Sequence, residues 1–143
     1  GPFHNPPRDA RRLGAELQAL LDQLPPSIEE ILVLAHSAGG LISNLAGRHL
    51  RVPPGRRVTI ALLDPAFRPA LASADEYLPV PPGVTMRVYL AQPSPSPSSP
   101  PGPEAPDPAF ATDLPREYLG DVGHNPMVGM VALPLLAARR GPR

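Results

Sequence analysis

Ser37, Asp64 and His124 are the residues whose types and settings could cooperate in covalent chemistry. Ser37 lies in ILVLAHSAGG (31–40), where an apolar run meets Ala35 and His36 and is followed by Ala38, Gly39 and Gly40. A plain turn needs one glycine, so small residues on both sides of a serine point to a backbone turn too sharp for bulk. A serine hydroxyl is a poor nucleophile until a neighbouring imidazole takes its proton during attack. His124, next to Gly123 in a loop, has an intrinsic pKa suited to that base role. A carboxylate on the other ring nitrogen would fix the tautomer and stabilise the imidazolium, the role given to Asp64. The N–H of Ala38, at the start of a following helix, would face a developing oxyanion.

Local patterning supplies the elements that must hold these groups. Leu13, Leu17, Leu20, Leu21 and Leu24 recur at helical spacing between Arg8 and Leu24, with charged residues opposite, so an amphipathic helix is expected there. Pro25 and Pro26 end it, and residues 27–30 read as a connection. Ile31 to Ala35 is a continuous apolar run of strand length, the pattern of a strand covered on both faces. A second helix is expected from Leu41 to Leu50, directly after the glycines, and Pro53-Pro54-Gly55 stops it. VTIALL (58–63) and MRVYLA (86–91) read as two more strands, and Glu117 to Val122 as a short fourth. The segment Pro126 to Arg140 is apolar almost all round, which predicts a buried last helix that Pro134 kinks or breaks.

The order of helices and all-apolar strands predicts α/β: a three-layer α/β/α domain with a mainly parallel sheet. The 143 residues suit a single domain, 1–143. Twenty-four are proline, well above the usual share of about 5%. Eight of them fall between Pro93 and Pro108, so 92–115 reads as an extended Pro/Ser-rich loop.

Charge and composition exclude several function classes. Thirteen basic and thirteen acidic residues cancel, leaving no electrostatic footprint for nucleic acid. The absence of cysteine removes disulfides, thiolate zinc sites and a thiol nucleophile. No apolar run approaches the roughly 20 residues of a membrane span. The histidines His4, His36, His49 and His124 show no metal-ligand spacing, so no metal is expected. A phosphate-binding glycine loop is the weaker reading of the same stretch, because no P-loop lysine or G-x-G-x-x-G is present. The Gly1-Pro2 start reads as that of a trimmed or partial chain, and no compartment is assigned.

In open α/β sheets, reactive groups collect at the carboxyl ends of strands, and the order Ser, Asp, His matches that of strand-turn-helix serine hydrolases. The segment Ala35-His36-Ser37-Ala38-Gly39-Gly40 resembles the nucleophile elbow of the α/β-hydrolase superfamily, in the form found in small bacterial lipases. Val122-Gly123-His124 resembles their catalytic-histidine loop. Leu63-Asp64-Pro65-Ala66 resembles the acid segment of vertebrate-type lipases. As strand order the likeness spans residues 28 to 133; as close sequence it covers these three pieces.

The resemblance implies a serine esterase or lipase with an acyl-enzyme on Ser37, acting on small-molecule or lipid esters. Two departures accompany it. Where most of the superfamily places its acid, this chain has Gln92-Pro93, so Asp64 takes the role, or Asp107 or Asp113 reaches in, or there is no acid. The superfamily's early strands, and the second oxyanion donor they carry, have no counterpart, which implies a short or N-terminally truncated version of the fold. An exposed sheet edge would follow. The rival expectation is therefore a non-catalytic or split-hydrolase fragment that binds a partner chain at that edge.

Overall fold

The computed structural model describes residues 6–65, 78–90, 114–119 and 125–140. Helix α1 (Pro6–Gln23) leads into strand β1 (Glu30–His36) and helix α2 (Ala38–Gly47). Strands β2 (Arg57–Leu63), β3 (Val84–Leu90) and β4 (Arg116–Tyr118) follow, then helix α3 (Met127–Arg140). Pro6 and Pro7 occupy the first turn of α1, where a missing N–H forfeits no helical hydrogen bond. The strands form one sheet in the order β1-β2-β3-β4, and every neighbouring pair is parallel. This is an α/β chain whose strand carboxyl ends share one edge.

The alternation of β2 divides the core. Val58, Ile60 and Leu62 pack with Leu41 and Leu45 of α2, Leu21 of α1, and Met86 and Val88 of β3. Ala61 and Leu63 instead join Met127 and Val131 of α3 in a smaller cluster. Each fully buried Leu or Ile contributes roughly 1.5–3 kcal/mol of transfer free energy, so β2, apolar on both faces, is the centre of the fold. Helix α2 comes closest to the sheet at Gly47, where there is no side chain to hold it off. A Cβ on Gly47 would sit 2.6 Å from Ile60 Cδ1 and 3.2 Å from Met86 Cε.

Several expectations need correction. Helix α2 begins at Ala38, not after the glycines, and ends at Gly47. The fourth strand covers Arg116–Tyr118 and stops well short of Val122. The 92–115 loop lies outside the described residues except at Leu114 and Pro115, which lead into β4. Strand β1 is not covered on both faces, since most of it is half-buried and Leu34 is 36% exposed. It ends the sheet, and no described element covers its free edge.

Helix α3 departs furthest from expectation. Met127 and Val131 are buried, but Val128, Met130, Leu133 and Leu136 are exposed, Leu133 to 69%. A helix laid on a sheet buries one stripe, here residues 127, 131 and 135; its other apolar residues have no described neighbour to cover them. The helix also continues through Pro134. The carbonyl of Met130, which a residue other than proline would engage, lies on the exposed side, where water can serve it.

Glu30 ties α3 to the start of the sheet. Its carboxylate accepts from Thr59 Oγ1 at 2.8 Å and from Arg139 Nε at 2.6 Å, with Arg57 Nε 3.7 Å away. Burial pushes the Glu30 pKa up, but the Thr59 hydroxyl and the Arg139 and Arg57 guanidiniums outweigh it and hold the carboxyl below its ordinary 4.5. A depressed folded-state pKa means stability that is complete above the ordinary value and lost as pH falls through the folded one. Glu30→Gln should therefore lower Tm by about 2–4 °C at pH 7. Thermal melts at pH 3 should show that gap closing; a gap unchanged at pH 3 would mean the carboxylate charge is not what matters.

Candidate active site

The site starts where β1 stops. Ser37 follows the last residue of β1 and precedes the first of α2, and its N–H donates to the Leu63 carbonyl at 3.1 Å. One strand over, the Asp64 N–H donates to the Tyr89 carbonyl at 2.7 Å. Both residues thus sit one step beyond their strands, on the same sheet edge, and the register that pairs His36 with Leu63 makes them neighbours. Adjacent strands lie about 4.8 Å apart, so the two are a strand spacing from each other.

Ser37 adopts φ 56° and ψ −121°. Residues with a Cβ avoid that region, and occupying it costs about 1–3 kcal/mol. The usual reason for a serine before a helix is capping, in which an extended backbone lets the hydroxyl accept from the first turn. Here the backbone is not extended and the side chain makes no capping hydrogen bond. The hydroxyl is therefore not used for helix termination. Ala38 is the first residue of α2, so its N–H belongs to the four that have no acceptor within the helix.

The adjacent glycines have separate reasons. Gly40 donates its N–H to the Ser37 carbonyl at 3.0 Å. A Cβ on Gly40 would sit 2.6 Å from Pro65 Cβ and 3.0 Å from Pro65 Cα. Helix α2 is thus seated directly on the residue after Asp64, and any side chain at position 40 would push the two apart. Gly39 has nothing within 4 Å of such an atom, so space does not demand a glycine there.

Asp64 is 2% exposed, with a positive φ of 42° that aspartate tolerates better than most residues. Burying a carboxylate is costly unless it is partnered, which sets it apart from an ordinary Asp-Pro turn on the surface. His124, Asp107 and Asp113 lie outside the described residues. The described chain resumes at Asn125, and Met127, two residues on, is buried in the cluster of Ala61 and Leu63, the second of which precedes Asp64 in the chain. His36 is half-buried next to the elbow and His49 is exposed.

One buried charged group was not singled out by the sequence analysis. Arg48, which looks like a solvated helix-end charge, is 2% exposed. Its Nε donates to Asn44 Oδ1 at 2.9 Å and one terminal nitrogen to the Leu78 carbonyl at 2.7 Å. It fastens the approach to β3 onto α2, and the lone hint was an arginine four residues after an asparagine on one helix. A groove lined by Pro7, Ala10, Arg11, Leu45 and His49 lies at the other end of α2 from Ser37 and has no part in this site. Among the described residues, no three His, Asp or Glu side chains gather as a metal site requires. No described helix is long and apolar enough to cross a membrane.

Two substitution pairs test the strain and the close approach. Gly40→Ala should cost about 1–3 kcal/mol through the Pro65 clash, while Gly39→Ala should be neutral or stabilising by up to about 1 kcal/mol. Ser37→Gly should be more stable than Ser37→Ala by about 1 kcal/mol, because only glycine relieves the positive φ. Urea denaturation measures all four, and equal costs at positions 39 and 40 would contradict the packing described.

No family model matches the chain, and no curated protein or solved structure is significantly similar to it, so the residues and their geometry alone carry the functional reading.

Proposed function

We propose that the chain is a serine hydrolase of α/β-hydrolase type that cleaves carboxylic esters through an acyl-enzyme on Ser37. The observation that carries this reading is the strained, non-capping conformation of Ser37 between a strand and a helix. Backbone strain without a local structural benefit gathers at functional sites, and a strained strand-turn-helix serine lifts its hydroxyl above a sheet edge. Four parallel strands in sequential order, with the serine after the first and a buried aspartate after the second, support it. The reading includes a three-layer architecture, with α1 and α2 over one face and α3 over the other.

In this mechanism His124 takes the Ser37 proton as Oγ attacks the ester carbonyl. The negative charge gathers on the carbonyl oxygen, which the Ala38 N–H receives. Collapse breaks the ester C–O bond, and the imidazolium protonates the departing alcohol. Water, deprotonated by the same imidazole, then releases the acid and restores the serine. Asp64 orients His124; it is favoured over Asp107 and Asp113 because it is buried on the serine's own sheet edge. Small-molecule or lipid esters are the substrates to try, and no cofactor enters. The rival reading, a partner-binding module without turnover, draws on the edge of β1, which no described element covers.

A fluorophosphonate probe tests the proposal directly. Labelling of the wild type that vanishes in Ser37→Ala supports it, whereas an unlabelled, folded wild type rejects turnover by this chain alone. With a p-nitrophenyl ester, Asp64→Asn and His124→Ala should each lower kcat by about 10³–10⁴-fold. Asp107→Asn and Asp113→Asn should leave it within about twofold. Equal, small losses at Asp64 and Asp113 would remove Asp64 from the acid role.

A further inference from the structure

Helix α3 packs on the sheet through Met127, Val131 and Leu135 and turns its other side outward. At 3.6 residues per turn, Val128, Leu136, Gly129, Leu133, Ala137 and Met130 follow one another around roughly 200° of that outer side. All six are exposed, Met130 to 57% and Leu133 to 69%. From Pro126 to Ala138 the sequence holds no polar side chain at all. A surface helix ordinarily turns charged and polar residues to water opposite its packing stripe. Here the stripe and the side opposite are both aliphatic.

Charges cancel over the whole chain but not around this helix. Ala61 packs with α3, and register and alternation along the strands put Glu30, Arg57, Arg87 and Glu117 on the same side of the sheet. Glu30 engages Arg57 and Arg139, and Glu117 engages Arg87 at 3.3 Å. Among these described residues three arginines therefore meet two carboxylates, and positive charge remains with every pair intact. Arg140 and Arg143 add to it in the sequence, which has no acidic residue between Asn125 and Arg143.

We propose that α3 docks the chain on an anionic lipid surface, lying flat with Met130, Leu133 and Leu136 at the acyl boundary and the arginines around it at the headgroup phosphates. Fourteen residues make a helix of about 21 Å, short of the roughly 30 Å of a hydrocarbon core, so the helix lies in the interface instead of spanning it. A protein partner would ask for a polar rim and about one hydrogen bond per 100–200 Å², and no side chain between Pro126 and Ala138 can donate or accept one. A lipid interface asks only for apolar area and a cationic flank. This docking does not depend on whether Ser37 reacts.

Co-flotation of the whole chain with lipid vesicles tests it, because flotation reads binding and not turnover. One vesicle is phosphatidylcholine alone; the other contains roughly one third phosphatidylglycerol. The chain should float with the anionic vesicles, less with the neutral ones, and less again in about 0.5 M salt. Leu133→Glu and Met130→Glu should each weaken binding by roughly tenfold, with thermal melts unchanged because both positions are exposed. Leu20→Glu adds the same charge at an exposed leucine of α1 and should change binding by less than about threefold. No flotation, equal binding to both vesicles, or binding that Leu133→Glu and Met130→Glu leave intact overturns the proposal. Self-association in sedimentation velocity that Leu133→Glu abolishes, without flotation, overturns it too and assigns the face to a second copy of the chain.

Discussion

The hydrogen bond from the Ser37 N–H to the Leu63 carbonyl holds the first residue beyond β1 to the last residue of β2, and the surrounding geometry follows from it. With Ser37 held there, the chain can enter α2 only by a sharp reversal, which forces φ to 56°. The helix must then pass over the neighbouring strand end at contact distance, and Gly40 against Pro65 is where it does so. The same pressure runs down α2, where Gly47 meets Ile60 and Met86. Bulk at either position would lift the helix and loosen the turn that strains the serine.

Such strain persists only where the surroundings over-determine it. Here the determination comes from β2, whose Ile60, Leu62 and Leu63 are wholly buried. It is reinforced by the Asp64 N–H bonded to Tyr89, which sets the next strand end at the same level. Arg48 adds a second tether by fastening α2 to the backbone at Leu78. A rigid centre thus presents one strained serine and one buried aspartate on a common edge, while the periphery is held less firmly.

That periphery is where apolar surface remains uncovered. Strand β1 and helix α3 lie at the same side of the molecule, joined through Glu30 and Arg139. Both carry more aliphatic surface than their described neighbours bury. Apolar residues scattered singly on a surface are ordinary, but a strand edge and a helix stripe side by side form a patch of the kind that marks interaction sites.

The sequence by itself determined the elements of this protein and the residues on which its chemistry would rest. Continuous apolar runs specified β2 and most of β1, leucines at helical spacing specified α1, and small residues around Ser37 announced a tight turn. These are local signals, written in period and side-chain size. Only the tertiary structure decided which faces are covered: α3 reads as a buried helix but packs by one stripe, and β1 reads as a strand covered on both faces but is mostly half-buried, with Leu34 exposed. It alone separated Gly40, which Pro65 requires, from Gly39, which nothing requires, and it alone buried Arg48. Burial and close approach depend on partners distant in the chain, and no window of sequence contains both members of such a contact.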